Sequence, residues 1–330
     1  MNQASGDGVR CAAGRRVILD GDYGIDDALA LLYLVGKGST EICAVGTVHG
    51  NTGALQAAHN ALHLLDLAGL PDVPVAVGAH RPLAQAVEYS SLVHGDDGMG
   101  GQSVPPVPGR RPVPESAAEQ LVRIARAHPG ECSVLATGPL TNLALALQLE
   151  PELPRLVRHV VVMGGAVVEP GNVTPLGEAN VVHDPEAADL VLSADWPVTL
   201  VTVDATMRTW LEPSELARLE AVTTPAGAFV RDALRHYVRF YGEHYGRRSC
   251  PLHDPTAAVV LIEPSVATEV LTRPVRVELR GEHTRGTTVV DRRDNREPKP
   301  PEGTEVRLVL GVDRDRAVRE ILDGVLAVVS

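Results

Sequence analysis

The chain has 330 residues, of which 44% are hydrophobic and 22% are charged, and its formal net charge is −12. This composition is typical of a globular protein, and the negative charge argues against nucleic acid or an anionic membrane as the main partner. No apolar run reaches the ~18 residues that a membrane span needs, and the N-terminus lacks the apolar segment of a secretory signal peptide.

The cysteines and the N-terminal residues give two further expectations. Cys11, Cys43, Cys132 and Cys250 lie far apart and show no metal-binding spacing. That pattern favours reduced thiols and therefore a cytoplasmic location. Residues 1–14 are rich in glycine, alanine and polar residues, and we expect them to form a disordered extension.

Short apolar segments alternate with longer apolar or amphipathic segments, which predicts alternating strands and helices. In chain order, the predicted strands are 16–20, 41–48, 73–78, 132–138, 159–165 and 197–204, and the predicted helices between them are 26–38, 53–69, 115–128, 139–149 and 185–194. The segment 79–114 is rich in proline and glycine and predicts a long functional or mobile loop.

The C-terminal third predicts more helices and a second group of strands. The predicted helices are 213–249 in the main, 254–262 and 313–328, and the strand-like pieces are 275–279, 287–290 and 306–312, with a solvated loop over 291–305. Strand–helix alternation with β-branched strands predicts an α/β fold with a mostly parallel central sheet flanked by helices. Because no linker or internal repeat divides the chain, we expect one domain over 15–330.

Polar residues follow several predicted strands, where ligands bind in parallel sheets. His49 and Asn51 follow the second strand, Thr137 lies near the end of the fourth and Met163 lies in the fifth. Asp20 ends the first strand, and Asp22, Asp26 and Asp27 follow it. Clustered carboxylates repel one another unless a cation neutralises them, and oxygen ligands suit Ca²⁺ or Mg²⁺. The alternative is that these aspartates only stabilise a helix N-terminus and a turn.

A further acidic position precedes the apolar helix at 254–262. His253 and Asp254 stand directly before Pro255, at the start of that helix. Taken alone, Asp254 is explained as an N-cap and His253 as a structural residue. Together with the aspartates near residue 20, they indicate a site with a titratable imidazole.

Four segments resemble the inosine-uridine preferring nucleoside hydrolase family, in the family's order. They are "LDGDYGIDDALAL", "ATGPLTNLALAL", "VVMGGAVVEPGNVTPLGEANVVHDPEAA" and "LHDPTAA", between residue 16 and about residue 262. The resemblance implies the Rossmann-like nucleoside hydrolase fold and an enzyme of ribonucleoside catabolism, in purine or pyrimidine salvage, that binds a nucleoside and a tightly held Ca²⁺. It also suggests a homodimer or homotetramer.

The resemblance also implies roles for individual residues. The Ca²⁺ ligands would be Asp22, both oxygens of Asp27, the backbone carbonyl of Thr137, and Asp254, with Asp20 behind them. Asp22 would be the general base on a water at the ion, and His253 the leaving-group acid. The expected substrate contacts are Asp26, Asn51, Met163, Asn172, Glu178 and Asn180, together with the loop histidine His94.

These implied residue roles are consistent with the chemistry of N-glycosidic cleavage. Positive charge develops on the ribose in an oxocarbenium-like state, which a carboxylate-rich pocket stabilises. The departing base carries negative charge unless it is protonated, and a histidine titrates in the useful range.

The sequence identifies the residues that would contact the nucleobase less clearly. Tyr237, Tyr241 and Tyr245 recur every four residues and therefore share one helical face, which fits base recognition and an ordinary packed stripe alike. Tyr23 stands where the family usually has proline, and Ala179 stands where a larger residue is common. Both departures bear on substrate preference more than on the reaction.

Three alternatives remain open at this point. The first is a hydrolase of a modified or unusual nucleoside. The second is a Mg²⁺ phosphatase of the haloacid dehalogenase kind, whose DxD motif is similar, although Lys37 and Lys299 fit its lysine poorly. The third is a ribose-binding relative without catalysis. Phosphate release and ribose release distinguish them.

Overall fold

The computed structural model describes residues 15–102, 104, 106–293 and 304–330. The strands, numbered in chain order, are β1 (Arg15–Gly21), β2 (Thr40–Thr47), β3 (Val75–Val77), β4 (Cys132–Ala136), β5 (His159–Met163), β6 (Val198–Val201), β7 (Trp210–Leu211), β8 (Cys250–Pro251), β9 (Ala267–Val277), β10 (Thr288–Val290) and β11 (Glu305–Val312). The expectations for residues 1–14 and for most of the loop at 291–305 concern segments outside the described residues.

The helices are α1 (Ile25–Gly36), α2 (Ala54–Leu67), α3 (Ser91–His94), α4 (Ala117–Ala127), α5 (Thr141–Leu149), α6 (Leu153–Leu156), α7 (Ala179–His183), α8 (Pro185–Ser193), α9 (Val203–Thr206), α10 (Pro213–Glu220), α11 (Pro225–Tyr245), α12 (His253–Ile262) and α13 (Arg314–Val329). None of these helices, within the part of the chain that the structure describes, is long and apolar enough to cross a membrane.

The main sheet is mostly parallel, as predicted. Within the described ranges its order is β10-β9-β11-β6-β5-β4-β1-β2-β3. The strands from β11 to β3 run parallel to their neighbours, whereas β9 pairs antiparallel with both β10 and β11. The carboxyl ends of β1, β2, β4 and β5 therefore meet at one edge of the sheet.

Alternation along β1 explains how the sheet holds a core on both faces. Val17 and Leu19 belong to one hydrophobic cluster, and Ile18 belongs to the cluster on the opposite face. Successive side chains of a strand point to opposite faces, so a continuous apolar run suits a strand covered by helices on both sides. Full burial of each such side chain contributes roughly 1.5–3 kcal/mol.

Several element boundaries differ from the prediction, and those of β6 and β9 show the physical reasons. The strand predicted over 197–204 ends at Val201, because the amides of Ala205 and Thr206 donate to the Thr202 carbonyl and begin the short helix α9. The strand predicted over 275–279 already begins at Ala267, since its first half pairs with β11. The first difference arises from local hydrogen bonds that close a helical turn, and the second from long-range strand pairing that local periodicity does not report.

Candidate active site

Four aspartates follow one another from β1 into α1 at the carboxyl edge of the sheet. Asp20 lies in β1, Asp22 in the connecting loop, and Asp26 and Asp27 in the first turn of α1. All four residues are at most 4% exposed. The N-terminus of α1, which carries partial positive charge, therefore faces buried carboxylates.

The loop between β1 and α1 is unusually constrained. Among the described residues other than glycine, Tyr23 alone has a positive φ, at 36°. Its carbonyl accepts a hydrogen bond from Asn60 Nδ2 at 3.0 Å. At the next residue, a Cβ on Gly24 would lie 2.4 Å from Asn51 Nδ2 and 2.6 Å from His94 Nδ1. The surroundings thus hold a strained backbone, and only glycine fits where Asn51 and His94 approach the loop.

Three carboxylates come together in a compact group. Asp26, Asp27 and Asp254 each have an oxygen within 4.8 Å of the others, and all three residues are buried. Asp254 reaches this group from the first turn of α12. Oδ1 of Asp26 is buried and has no hydrogen-bond partner among the described residues. An oxygen-only group with an unpartnered buried oxygen fits a hard divalent cation.

The pKa values of these carboxyl groups are consistent with a cation site. Burial, with a further contribution from Asp26, raises the pKa of Asp27 to about 7. Burial and the neighbouring Asp26 also raise the pKa of Asp254. Each increase reflects the cost of an uncompensated buried charge, which a bound cation would offset.

Hydrogen bonds orient Asp27 from two sides. Its Oδ2 accepts from the backbone N–H of Gly24 at 2.7 Å, and its Oδ1 accepts from the Thr137 hydroxyl at 2.6 Å. The backbone carbonyl of Thr137, at the end of β4, accepts from Asn180 Nδ2 at 3.1 Å. The predicted ligands Asp27 and Thr137 are therefore in direct contact.

Asp22 lies beside the compact group and is held by Asn51. The backbone N–H of Asn51 donates to Asp22 Oδ2 at 2.7 Å, and its side-chain amide donates to Oδ1 at 2.9 Å. Burial and the adjacent Asp27 raise the pKa of Asp22 well above the ordinary value. The predicted general base is thus a buried carboxyl group with an elevated proton affinity.

Asp20 lies behind the other aspartates. Asn142 Nδ2 donates to its Oδ2 at 2.9 Å, and burial raises the pKa of Asp20 to about 7. The role of Asp20 as a support for the metal ligands stays a prediction. Asn142, at the start of α5, is a contact that the motif analysis did not identify.

His94 enters the site from α3. The backbone N–H of Ile25 donates to His94 Nδ1 at 3.2 Å, and the same nitrogen lies 3.9 Å from Asp26 Oδ1. Burial lowers the pKa of His94 to about 3. The ring is therefore neutral, with its proton on Nε2, because Nδ1 accepts the backbone hydrogen bond.

His253 stands between two hydroxyl groups. Its Nδ1 lies 2.7 Å from Thr206 Oγ1, and its Nε2 lies 3.3 Å from the Tyr241 hydroxyl. Burial lowers the pKa of His253 to about 4, although Asp26 acts in the opposite direction. The imidazole is consequently neutral near pH 7, and its imidazolium form is a stronger acid than that of an exposed histidine.

The side of the site formed by the loop after β5 carries polar groups. Glu178 accepts from the backbone N–H of Gly165 at 2.8 Å and of Asn180 at 2.9 Å, so both its oxygens are engaged. Asn172 Oδ1 accepts from the Ala179 N–H at 3.0 Å. Glu178 thus organises this loop as well as lining the site.

Helix α11 supplies an aromatic wall. Tyr237 is 0% exposed, Tyr241 is 7% exposed and Tyr245 is 52% exposed, so the stripe runs from the interior to the rim. The Tyr237 hydroxyl donates to Asp26 Oδ2 at 3.3 Å. Tyr245 stacks on Tyr241, with ring centroids 5.9 Å apart and an interplanar angle of 24°. The stripe is packed and also lines the cavity, so its role in base recognition stays a prediction.

These groups surround a cavity of about 320 Å³. Its lining includes most of the predicted site residues, Asp26, Asn51, His94, Thr137, Met163, Asn172, Glu178, Asn180, His253 and Asp254. Asp22 and Asp27 lie just behind this lining, in contact with Asn51 and Thr137. The aromatic part adds Tyr237, Phe240, Tyr241, His244 and Tyr245. A polar inner end and an apolar outer end suit a ligand that combines a hydroxyl-rich group with a flat ring.

Besides Asn142, sequence reasoning missed two residues of this arrangement. Thr206 contacts His253, but nothing in the local sequence of α9 marks it. Asp204, two residues earlier, accepts hydrogen bonds from the backbone N–H groups of Val167, Val168 and Glu169. A carboxylate inside a predicted strand was the available signal for Asp204, since such a residue needs partners when buried.

Comparisons with known proteins agree on one family. A family model described as inosine-uridine preferring nucleoside hydrolase matches residues 17–319. The chain is 37% identical over 306 residues to the inosine-uridine preferring nucleoside hydrolase of Leishmania major, covering 92% of this chain and 94% of the relative. It is 35% identical to a probable uridine nucleosidase 2 of Arabidopsis thaliana, covering 94% and 97%.

A solved structure gives the same result for the fold. The purine-preferring ribonucleoside hydrolase from Gardnerella vaginalis superposes with a TM-score of 0.88 at 33% identity, covering 96% of this chain and 100% of that one.

Proposed function

The chain belongs to the inosine-uridine preferring nucleoside hydrolase family and is an enzyme, and from this we propose that it hydrolyses the N-glycosidic bond of ribonucleosides to free base and ribose in a Ca²⁺-dependent reaction. One observation carries the proposal: a buried group of carboxylates and a buried imidazole lie at the same cavity.

The carboxylates are the proposed Ca²⁺ site. Asp22, Asp27, the Thr137 carbonyl and Asp254 would hold the ion, and the compact group also includes Asp26. When bound, the ion would supply charge neutralisation, orientation of the ribose diol and Lewis acidity toward water. The unpartnered Oδ1 of Asp26 is then available to a ribose hydroxyl.

Asp22 is the proposed general base. Its raised pKa makes the ionised carboxylate a better proton acceptor than an exposed aspartate, and Asn51 fixes both of its oxygens. It would take the proton of the attacking water as the C–N bond breaks. The surrounding negative charge would stabilise the oxocarbenium-like ribose.

His253 is the proposed leaving-group acid. Its Nε2 faces Tyr241 at the aromatic end of the cavity, where the base would lie. Negative charge that develops on the departing base raises the proton affinity of an adjacent imidazole, which counters the effect of burial. Asn51, Asn172, Glu178, Asn180 and Met163 would bind the sugar, and His94 would contact the substrate from α3.

The substrate preference of the chain is not determined by the family. The relatives are described as inosine-uridine preferring, as a uridine nucleosidase and as purine-preferring. Ala179 lines the cavity, and the neighbouring Val173 is 52% exposed. This opening favours a second candidate, a nucleoside with a modification that a larger side chain at position 179 would exclude.

Other expectations remain proposals of the same kind. We propose one domain over residues 15–330, supported by a main sheet that joins strands from both ends of the chain. A cytoplasmic location is supported by free thiols at Cys43, Cys132 and Cys250. A homodimer or homotetramer, acting in purine or pyrimidine salvage, is supported by the family resemblance.

The test is reducing-sugar release from inosine, uridine, cytidine, adenosine and guanosine. We expect release by the wild type, loss on chelation, and recovery with Ca²⁺ more than with Mg²⁺. Asp22→Ala should abolish release, whereas the exposed Asp195→Asn should leave it unchanged. Undiminished release by Asp22→Ala contradicts the general-base assignment. Absence of release by a Ca²⁺-replete wild type would move the proposal to a modified nucleoside.

A further inference from the structure

Side chains anchor the start of the loop between β5 and α7, residues 164–178. Five successive backbone N–H groups donate to side-chain oxygens, those of Gly165, Ala166, Val167, Val168 and Glu169. The acceptors are Glu178, Thr288 and Asp204. Backbone N–H groups that no helix or strand uses need such partners where water does not reach them. The position of this loop therefore depends on three side chains from separate parts of the chain.

Asp204 accepts three of these five hydrogen bonds. Its Oδ1 accepts from the N–H groups of Val168 at 2.7 Å and Glu169 at 2.8 Å, and its Oδ2 accepts from Val167 at 3.0 Å. Asp204 is 1% exposed and lies in the short helix α9. Burial of a carboxylate is costly unless its oxygens are hydrogen-bonded, and the three amides meet that need. Asp204 thus fixes the backbone at three consecutive residues of the loop.

The same loop supplies polar side chains to the cavity. Asn172 and Glu178 belong to the cavity lining, whereas Asp204 does not. Glu178 is tied to the start of the loop, because its Oε2 accepts from the Gly165 N–H at 2.8 Å. A displacement of the residues that Asp204 holds would therefore reach Glu178 through Gly165, without any contact between Asp204 and the bound ligand.

Helix α9 also connects this loop to the imidazole. The N–H of Val203 donates to the Gly165 carbonyl at 3.0 Å, and Thr206 Oγ1 lies 2.7 Å from His253 Nδ1. Val203, Asp204 and Thr206 belong to the same four-residue helix. The loop and His253 are therefore placed against one short element.

We propose that Asp204 is a positioning residue that holds the β5–α7 loop so that Asn172 and Glu178 bind the sugar of the nucleoside. The inference rests on the proposed function, because it assigns these two residues to the ribose. Asp204 acts through the backbone of the loop and touches no reacting atom. Its loss should weaken the binding of the sugar and leave the binding of the base unchanged.

The wild type provides the first test. Amide hydrogen exchange, followed by NMR or by mass spectrometry of short peptides, should show protection of Val167, Val168 and Glu169. Fast exchange at these three amides in the folded protein overturns the proposal. This measurement needs no variant and no turnover.

Asp204→Asn is the test variant, and Asp189→Asn is the matched control. Asparagine keeps one acceptor oxygen and places an NH2 group where the other oxygen accepted, so at least one of the three hydrogen bonds is lost. Asp189 also accepts from a backbone N–H, that of Val277 at 2.9 Å, but lies outside the cavity lining. Exchange over residues 165–169 should become faster in Asp204→Asn and stay unchanged in Asp189→Asn.

Ligand selectivity supplies the readout that a merely structural role would not produce. With Ca²⁺-replete protein and the best nucleoside of the panel, we expect Asp204→Asn to raise KM about five- to tenfold, with kcat changed by less than about threefold. The inhibition constant of D-ribose should rise by a similar factor. The inhibition constant of the free base should change by less than about twofold, and Asp189→Asn should change neither constant.

The outcomes separate the possible failures. Equal increases in the ribose and base constants overturn the proposal, because the effect is then not confined to the sugar. A lower melting temperature with unchanged constants assigns Asp204 a merely structural role and overturns it as well. Absence of turnover and of ribose binding by the Ca²⁺-replete wild type contradicts the proposed function instead, while hydrogen exchange still decides whether Asp204 holds the loop.

Discussion

The two ends of the cavity differ in the charge of their side chains and in what those side chains contribute to stability. The inner end gathers buried carboxylates, Asp26, Asp27 and Asp254, which oppose one another until a cation neutralises them. The outer end is a neutral aromatic wall on α11, where Tyr237 and Tyr241 are packed and satisfied by hydrogen bonds. The inner end therefore costs stability and the outer end contributes to it, which is the distribution expected for a reactive centre held by a rigid scaffold.

The largest effect should follow from removing one carboxylate of the inner end. Asp254→Ala should lower kcat/KM by at least about 10³-fold, because both the ion and the ribose lose their support. In the metal-free protein the same variant should raise the melting temperature, since one repulsive charge is gone. Calorimetric titration with Ca²⁺ and thermal melts with and without chelator provide the measurement. A variant that is active and still binds Ca²⁺ contradicts the proposed site.

The pH dependence of the metal-free protein should show the cost of the inner end. The pKa of Asp20 is raised to about 7, above its unfolded value of about 3.9, so the folded state binds the proton more tightly. The contribution of Asp20 to the free energy of unfolding is therefore largest below about pH 4 and falls by about 4 kcal/mol as the pH rises to about 7.

Urea unfolding in the presence of chelator between pH 4 and 8 measures the slope of the free energy of unfolding against pH. Asp20→Asn should flatten it, while the exposed Asp195→Asn should not. A slope that is the same in Asp20→Asn and the wild type contradicts the role of Asp20.

A smaller effect should follow from removing the hydrogen bond between Tyr237 and Asp26, which connects the two ends of the cavity. Tyr237→Phe removes the hydrogen bond to Asp26 Oδ2, and we expect kcat/KM to fall by about five- to tenfold. The matched control is Tyr33→Phe, because the Tyr33 hydroxyl is buried outside the cavity and has no partner among the described residues. Initial rates decide the comparison, and an equal loss in both variants would attribute the effect to packing.

The smallest effect should be at the rim. Tyr245→Ala removes a half-exposed ring that stacks on Tyr241, and we expect KM to rise by about two- to fivefold with kcat unchanged. Tyr89→Ala is the control, since Tyr89 is 49% exposed and outside the cavity lining. Should Tyr245→Ala lower kcat instead, the ring takes part in more than base binding.

Much of the fold and of the inner end was predictable from local sequence. The apolar run before Asp20 and the acidic first turn of α1 identify a strand, a helix and their junction, and the edge of a parallel sheet brings the junctions together. The family resemblance then assigned roles to Asp254 and His253, which lie more than 200 residues away in the chain. The predicted single strand over 197–204 was wrong in its last residues. Asp204 there accepts a hydrogen bond from the backbone N–H of Val167, in the loop after β5.

The amino-acid sequence by itself determined the alternation of strands and helices, the carboxylate-rich edge and the family, since each depends on short-range patterns of apolar and acidic residues. Only the tertiary structure decided that Thr206 faces His253, that Asn142 supports Asp20, and that the tyrosine stripe runs from Asp26 to the rim. The physical reason is that a hydrogen bond between side chains depends on distances of about 3 Å across separate elements, and packing sets those distances.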